Sequence, residues 1–165
     1  MKIVDRQLRA DIAEWDCINW GRAIRFWENS HLGNFSDMAG KKVLDIGGRN
    51  GGLSLYWALK GADVECTDLH IGGFDRAKKL HKKYNLCKLI TYKKIDVLDL
   101  NVENKYDVIT FKSVLGGVGY NNNYANQVKM IQNIYRALKP GGFCIFAENL
   151  TGSDLHMWLR QKYRP

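Results

Sequence analysis

The sequence predicts a three-layer α/β sandwich built on a mostly parallel sheet and preceded by helices. Two observations carry that prediction. From residue 42 onward, short apolar runs alternate with longer stretches of helical period, and each run is apolar at nearly every position. A strand that is apolar on both sides must be covered on both faces, which helices crossing between parallel strands accomplish.

The elements follow in order. Residues 5–29 carry Leu8, Ile12, Trp15, Ile18, Trp20, Ile24 and Trp27 broadly at helical spacing, which predicts one or two amphipathic helices. A polar stretch, SHLGNFSDMAGK (30–41), leads to the first strand, KVLDI (42–46), a glycine-rich turn, and the helix LSLYWALK (53–60) with Gly61 as its C-cap. ADVECTD (62–68) is the second strand, FDRAKKLHKKYN (74–85) a helix, KLITYKK (88–94) the third strand and YDVITFK (106–112) the fourth. NNYANQVKMIQNIYRALK (122–139) is a long helix stopped by Pro140-Gly141-Gly142, and GFCIFAE (142–148) is the fifth strand. SDLHMWLRQKY (153–163) starts a last helix, with Ser153 as its cap. The class is a Rossmann-like sandwich. It divides one domain, 1–165, into a helical cap or lid (1–40), a sheet core (41–150) and the start of a last helix (151–165).

Bulk properties narrow the function classes. A chain of 165 residues buries roughly 68–70% of its unfolded surface, enough for its own core. No apolar run approaches the ~20 residues that a membrane span needs. The first fifteen residues, MKIVDRQLRADIAEW, mix acid and base without the apolar run of a signal peptide. Cys17, Cys66, Cys87 and Cys144 are widely spaced and form no CxxC pair, so they read as reduced thiols of a cytoplasmic protein, with no disulfide and no metal expected. The net charge of +8 allows an anionic partner, nucleic acid included. Many of the lysines fall in RAKKLHKKY (76–84) and LITYKK (89–94), which a solvated helix face explains more readily than a binding site.

The stretch VLDIGGRNGG (43–52) points to a ligand. Open parallel sheets bind ligands beyond the carboxyl ends of their strands, and glycine lets backbone approach a ligand without a Cβ in the way. A dinucleotide and S-adenosylmethionine both fit such a place. No GxGxxG can be written through Gly47, Gly48, Gly51 and Gly52, and Asp45 stands two residues before the first of them. A carboxylate there is awkward for pyrophosphate and suits a ligand carrying an ammonium and a sulfonium. Asp68, ending the second strand, is placed to accept both ribose hydroxyls; the alternative is a helix cap or turn residue. Asp96 in KKIDVLD can accept from an adenine amino group, with Val97 offering its backbone, or can be a surface-loop residue; Asp99 reads as solvated.

VLDIGGRNGG, ECTD, IDVLDL, YDVITF and LKPGG, in that order over residues 40–150, resemble the motif series of class I S-adenosylmethionine-dependent methyltransferases. GGRNGGLSLYWALKG, FKSVLGGVG and LKPGGFCIFAENLTGSDLHMWLRQKY further resemble a bacterial subgroup found with capsule, O-antigen and other surface-polysaccharide genes. The resemblance implies that S-adenosyl-L-methionine is the cofactor, leaving as S-adenosyl-L-homocysteine. It implies cofactor roles for Asp45, Gly47, Gly51, Asp68 and Asp96, with Gly48, Arg49, Asn50, Leu69, Val97 and Lys112 flanking them at the same strand ends. It implies a sugar or sugar-derived hydroxyl as the acceptor. Two features depart from the family pattern. Arg49 stands where the loop usually has its middle glycine; a left-handed arginine would cost roughly 1 kcal/mol or more, so Gly48 is expected to carry the unusual torsion. The sixth and seventh strands of the fold are not expected within residues 1–165, since the sequence as given closes on RQKYRP. A fragment of a longer enzyme, or a homo-oligomer covering the apolar edge of the fifth strand, is the expectation.

Methyl transfer is an in-line displacement in which the protein positions the acceptor and, for an oxygen acceptor, removes its proton. The loop after the fourth strand, Lys112 to Tyr120, lacks the NPPY pattern of enzymes that methylate exocyclic or amide nitrogens. Lys112 can orient an anionic acceptor, act as a base, or simply point to solvent. His31 and His156 are candidate general bases; His70 belongs with the ribose end and His81 with the exposed basic helix. Glu148 and Asn149 can bind an acceptor hydroxyl or cap a turn, and Trp20 and Trp27 can form a lid or fill core. The rival readings are an RNA or protein methyltransferase, a non-catalytic S-adenosylmethionine-binding fragment, and, more remotely, a nicotinamide oxidoreductase.

Overall fold

Five strands pair in parallel: β1 (Lys42–Ile46), β2 (Asp63–Asp68), β3 (Ile90–Lys94), β4 (Tyr106–Lys112) and β5 (Leu138–Ala147). Their spatial order is β3-β2-β1-β4-β5, so the chain reverses direction across the sheet between β1 and β4. The computed structural model describes residues 6–13, 17–29 and 35–148 together with Trp158 and Lys162, and the side chains of residues 17–21 lie outside the description. Register is fixed at the middle of the sheet, where Asp45 stands opposite Cys66 on one side and Thr110 on the other.

Two apolar layers explain why the strands are apolar throughout. Val43, Val64, Cys66, Val108 and Ile145 face one layer with α1 (Arg6–Ala13), α2 (Cys17–Asn29), α3 (Gly52–Ala58) and α4 (Phe74–Lys83). Leu44, Ile46, Tyr106, Ile109 and Phe111 face the other, under α5 (Leu115–Val118) and α6 (Tyr124–Ala137). Successive residues of β1 thus enter different cores, as the alternation of a pleated strand requires. Trp27 is buried against Tyr56 at 6.5 Å between ring centroids, so it belongs to core.

Most elements lie where the pattern puts them, and β5 differs in a physically informative way. It begins at Leu138, four residues before the expected start, and runs through Pro140 and Gly141. Leu138 pairs with Tyr106, and the register then shifts before Val108 meets Phe143. Proline is tolerated at such an irregularity because the ladder does not use its missing N–H. β5 is the outermost described strand on its side, and β3 on the other. Among the described residues no helix is long and apolar enough to cross a membrane.

Charge pairs gather many of the lysines. At the amino end of β4, Asp107 accepts from the Lys42 N–H at 2.8 Å and from Lys139 Nζ at 2.7 Å. Glu65 of β2 accepts from Lys105 Nζ at 2.6 Å and Lys93 Nζ at 2.9 Å. The buried Lys60 meets Glu28 at 3.3 Å and lies over the Tyr56 ring, holding α2 to the end of α3.

The N-terminal helices matter for the site because α1 is seated on the start of α3. Asp11 accepts from Lys83 Nζ and Tyr84 Oη, each at 2.6 Å, which ties α1 to α4. The Ile12 carbonyl presses so closely on Gly52 that no Cβ fits there. Gly52→Ala is therefore expected to lower stability by about 1–3 kcal/mol through overpacking. Denaturant unfolding checks this; an unchanged midpoint would mean that α1 does not rest there.

Candidate active site

The carboxyl ends of β1 to β4 open onto a cleft of about 820 Å³, within the range of roughly 300–1,000 Å³ typical of small-molecule sites. Gly47, Arg49 and Asn50 line it from the loop after β1, and Asp68, Leu69 and His70 from the end of β2. Asp96 and Val97 follow β3, and Lys112, Ser113 and Val114 follow β4. The structure thus brings eight of the eleven expected cofactor residues to one surface.

The glycine loop is held by its own backbone and its neighbours. The Gly48 N–H donates to the Thr67 carbonyl at 2.8 Å and the Gly51 N–H to the Gly48 carbonyl at 2.7 Å. The left-handed residues are Gly47 (φ +70°), Arg49 (φ +43°) and Gly51 (φ +87°). This corrects the expectation that Gly48 carries the torsion in place of Arg49. Gly48 is required for space instead: a Cβ would stand 2.8 Å from Cys66 Sγ and 2.9 Å from Asp45 Oδ2. Arg49 is kept in its costly conformation by a bond from its N–H to Asp68 Oδ2 at 3.1 Å.

Asp68 also accepts from the His70 N–H, through Oδ1 at 2.8 Å. Its carboxylate therefore pins both loops that flank the cleft. An ionised carboxylate offers about four acceptor positions, so two remain for a ligand. Asp96 accepts from the Leu98 N–H at 2.9 Å and caps a single turn, while still lining the cleft. Asp45 lies elsewhere. It is 1% exposed, accepts from Ser54 Oγ at 2.6 Å and sits beneath the loop, away from the cleft wall. Gly48 and Gly51 likewise form the back of the loop.

The acceptor-side candidates separate. Lys112 lines the cleft and donates from Nζ to the Ala13 carbonyl at 3.4 Å, so it joins β4 to the carboxyl end of α1. A cation is favoured at that helix end. Glu148 accepts from the N–H groups of Val114 and Leu115, at 2.6 and 2.7 Å, both through Oε1; this is the capping alternative. His31, His156 and Asn149 lie outside the described residues, as does the Trp20 side chain.

His81 is not exposed, in contrast to the sequence expectation. It is 0% exposed, with Nε2 2.9 Å from the Gly51 carbonyl and Nδ1 2.7 Å from Tyr92 Oη. The basic residues of α4 face solvent, but Phe74, Ala77 and His81 form its inner face. That i, i+3, i+7 spacing is the signal that could have found it. Burial holds the imidazole below the ordinary histidine value, against a smaller upward effect of the Gly51 bond. Burial, and then the nearby thiols of Cys66 and Cys87, push the Tyr92 phenol up to about 12. Gly117, Val118 and Asn126 also line the cleft, and sequence reasoning had no signal for Asn126 on α6.

A glycine loop after β1, a carboxylate ending β2 and a second acid after β3 thus meet in one cleft at the switch point of a parallel sheet, the place where such sheets bind ligands. The family described as "Methyltransferase domain" matches residues 44–146, and the chain belongs to it, among the S-adenosyl-L-methionine-dependent methyltransferases. Ubiquinone biosynthesis O-methyltransferase of Acinetobacter baylyi is 32% identical over 123 residues, covering 73% of this chain and 48% of that protein. Sarcosine/dimethylglycine N-methyltransferase of Aphanothece halophytica is 30% identical over 112 residues, covering 67% and 38%. Phosphoethanolamine N-methyltransferase 2 of Haemonchus contortus, solved in complex with S-adenosyl-L-methionine, shares the fold with a TM-score of 0.64 at 23% identity, over 87% of this chain and 32% of that one. The chain spans about half the length of the curated relatives it matches.

The Glu148 cap generates a local prediction. α5 is one turn with two glycines in LGGV, too short and too glycine-rich to stand alone. Bonds to a charged acceptor are worth about 1.5–3 kcal/mol. Glu148→Ala is expected to lower the hydrogen-exchange protection of the Val114 and Leu115 amides by at least about tenfold, with Glu148→Gln keeping most of it. Equal protection in all three proteins would remove the capping role.

Proposed function

We propose that this chain forms the cofactor-binding part of a methyltransferase that transfers the methyl group of S-adenosyl-L-methionine to a hydroxyl of a small polar acceptor. The observation that carries the reading is Asp68: a carboxylate in the cleft wall, beside the glycine loop, with acceptor capacity left after bracing Arg49 and His70. The residues present fit the cofactor. Asp68 would take the ribose hydroxyls, Asp96 the adenine amino group, and the backbone of Gly47 to Asn50 the amino-acid end. Asp45 would act through the loop it supports. When bound, the cofactor supplies an electrophilic methyl on a sulfonium.

The chain's own residues then have the task of placing an acceptor oxygen. Lys112, whose ammonium donates to Ala13, suits orientation of an anionic acceptor better than proton removal, which needs a free amine. His31 and His156 stand as candidate bases, and Asn149 and Trp20 as acceptor contacts. A sugar-derived hydroxyl is the acceptor that the sequence suggests. The matched relatives are instead named for ubiquinone biosynthesis and for sarcosine or dimethylglycine. The O-methylating relatives share the hydroxyl with the sugar reading, and the N-methylating one supports an amine as the second candidate. Nucleic acid is less favoured, because Lys41, Lys60, Lys83, Lys93, Lys105, Lys129 and Lys139 are engaged in ion pairs.

Calorimetric titration with S-adenosyl-L-homocysteine is expected to give micromolar binding, weakened at least about tenfold in Asp68→Ala, the loss of about 1.4 kcal/mol or more. A folded chain that does not bind would overturn the reading. Transfer of labelled methyl to a hydroxyl panel and an amine panel then separates the two acceptor classes.

A further inference from the structure

We infer that His81 is a positioning residue for the cofactor loop: by donating from Nε2 to the Gly51 carbonyl it fixes the point where the loop turns into α3, so that protonating His81 weakens cofactor binding before the fold is lost. The inference rests on the cofactor reading above.

The geometry determines the proton positions. A carbonyl can only accept, so Nε2 carries the hydrogen in the 2.9 Å bond to Gly51. In the neutral ring Nδ1 is then an acceptor, and the Tyr92 hydroxyl donates to it at 2.7 Å. Both ring nitrogens are taken, and neither by a carboxylate. The same ring fills the space above Gly51, where a Cβ would lie 2.6 Å from both Cε1 and Nε2. Gly51 has φ +87° and is the N-cap residue of α3, and its carbonyl also accepts from the Leu55 N–H at 2.8 Å. Its N–H closes the turn onto Gly48. One buried imidazole from α4 therefore secures the junction between the cofactor loop and the helix behind it.

Among the described residues no carboxylate bonds the imidazole, and the Gly51 carbonyl favours its cation by less than burial opposes it. Tyr92 comes from β3, stacked at 5.8 Å between ring centroids, and Gly51 from the loop. Lys78 of the same helix lies 5.5 Å from the Tyr92 ring centroid and adds positive charge. The Cys66 thiol is near Tyr92 from β2, and the α1 carboxylate of Asp11 is engaged by Lys83 and Tyr84. Protonation would place an unpaired charge at a fully buried position. Because burial lowers the folded value, the neutral form is the competent one, and its contribution is lost as pH falls below the ordinary histidine range near about 6.5.

The test measures S-adenosyl-L-homocysteine affinity from pH 8 downward, with circular dichroism on the same samples to follow folding. Three proteins are compared: the parent, His81→Gln and His81→Leu. A glutamine amide carries both a donor and an acceptor and does not titrate. The parent should hold its affinity through about pH 6.5, the ordinary histidine value, and lose it only at lower pH while still folded. His81→Gln should bind within about threefold of the parent at pH 8 and show no such fall, whereas His81→Leu should bind about tenfold more weakly at every pH. Should His81→Leu fail to fold, the profile of His81→Gln decides alone. A pH fall in His81→Gln that matches the parent's, or a folded His81→Leu with unchanged affinity, overturns the inference. Absent binding by the parent at pH 8 overturns the cofactor reading and the inference with it.

Discussion

The glycine loop is crowded from behind, and the rest of the site depends on that crowding. Val114, in the cleft wall, stands 2.6 Å from where a Cβ on Gly47 would lie, while behind the loop Cys66 and Asp45 close the space at Gly48. His81 closes it at Gly51, and the Ile12 carbonyl at Gly52. Besides β1 itself, four separate parts of the chain therefore close on the loop and the first residue of α3. Because that contact is steric, the loop has little freedom to rearrange, and its outward face is preorganised for a ligand.

Asp68 does on the open side what these contacts do behind. Its two oxygens each hold a backbone N–H, one from the glycine loop and one from the loop after β2. That bond is also what makes a left-handed Arg49 tolerable, where a residue with a Cβ would ordinarily avoid such a torsion. Bracing uses one lone pair of each oxygen and leaves acceptor capacity on the side that lines the cleft.

The acceptor side is built differently. α5 has weak intrinsic helicity and is held from outside, at its start by Glu148 and at the Leu115 carbonyl by Gln127 Nε2 at 2.9 Å. Lys112, in the wall of the cleft, connects the end of β4 to the carboxyl end of α1.

The strand and helix order, the two-faced core, the glycine loop and the acids at the ends of β2 and β3 were all legible in the sequence, because period, strand-end position and glycine content are local properties. Tertiary structure decided what depends on neighbours distant in the chain. Asp45 went under the loop because Ser54 captures it, and Arg49 took the left-handed torsion because Asp68 holds its N–H. Glu148 became a cap because the β4 loop brings two N–H groups to it. His81, lying in a run of lysines, turned inward because Gly51 and Tyr92 offer the buried partners that solvent would otherwise supply. Hydrogen-bond partners 9 to 34 residues away leave no trace in local pattern, and only packing reveals them.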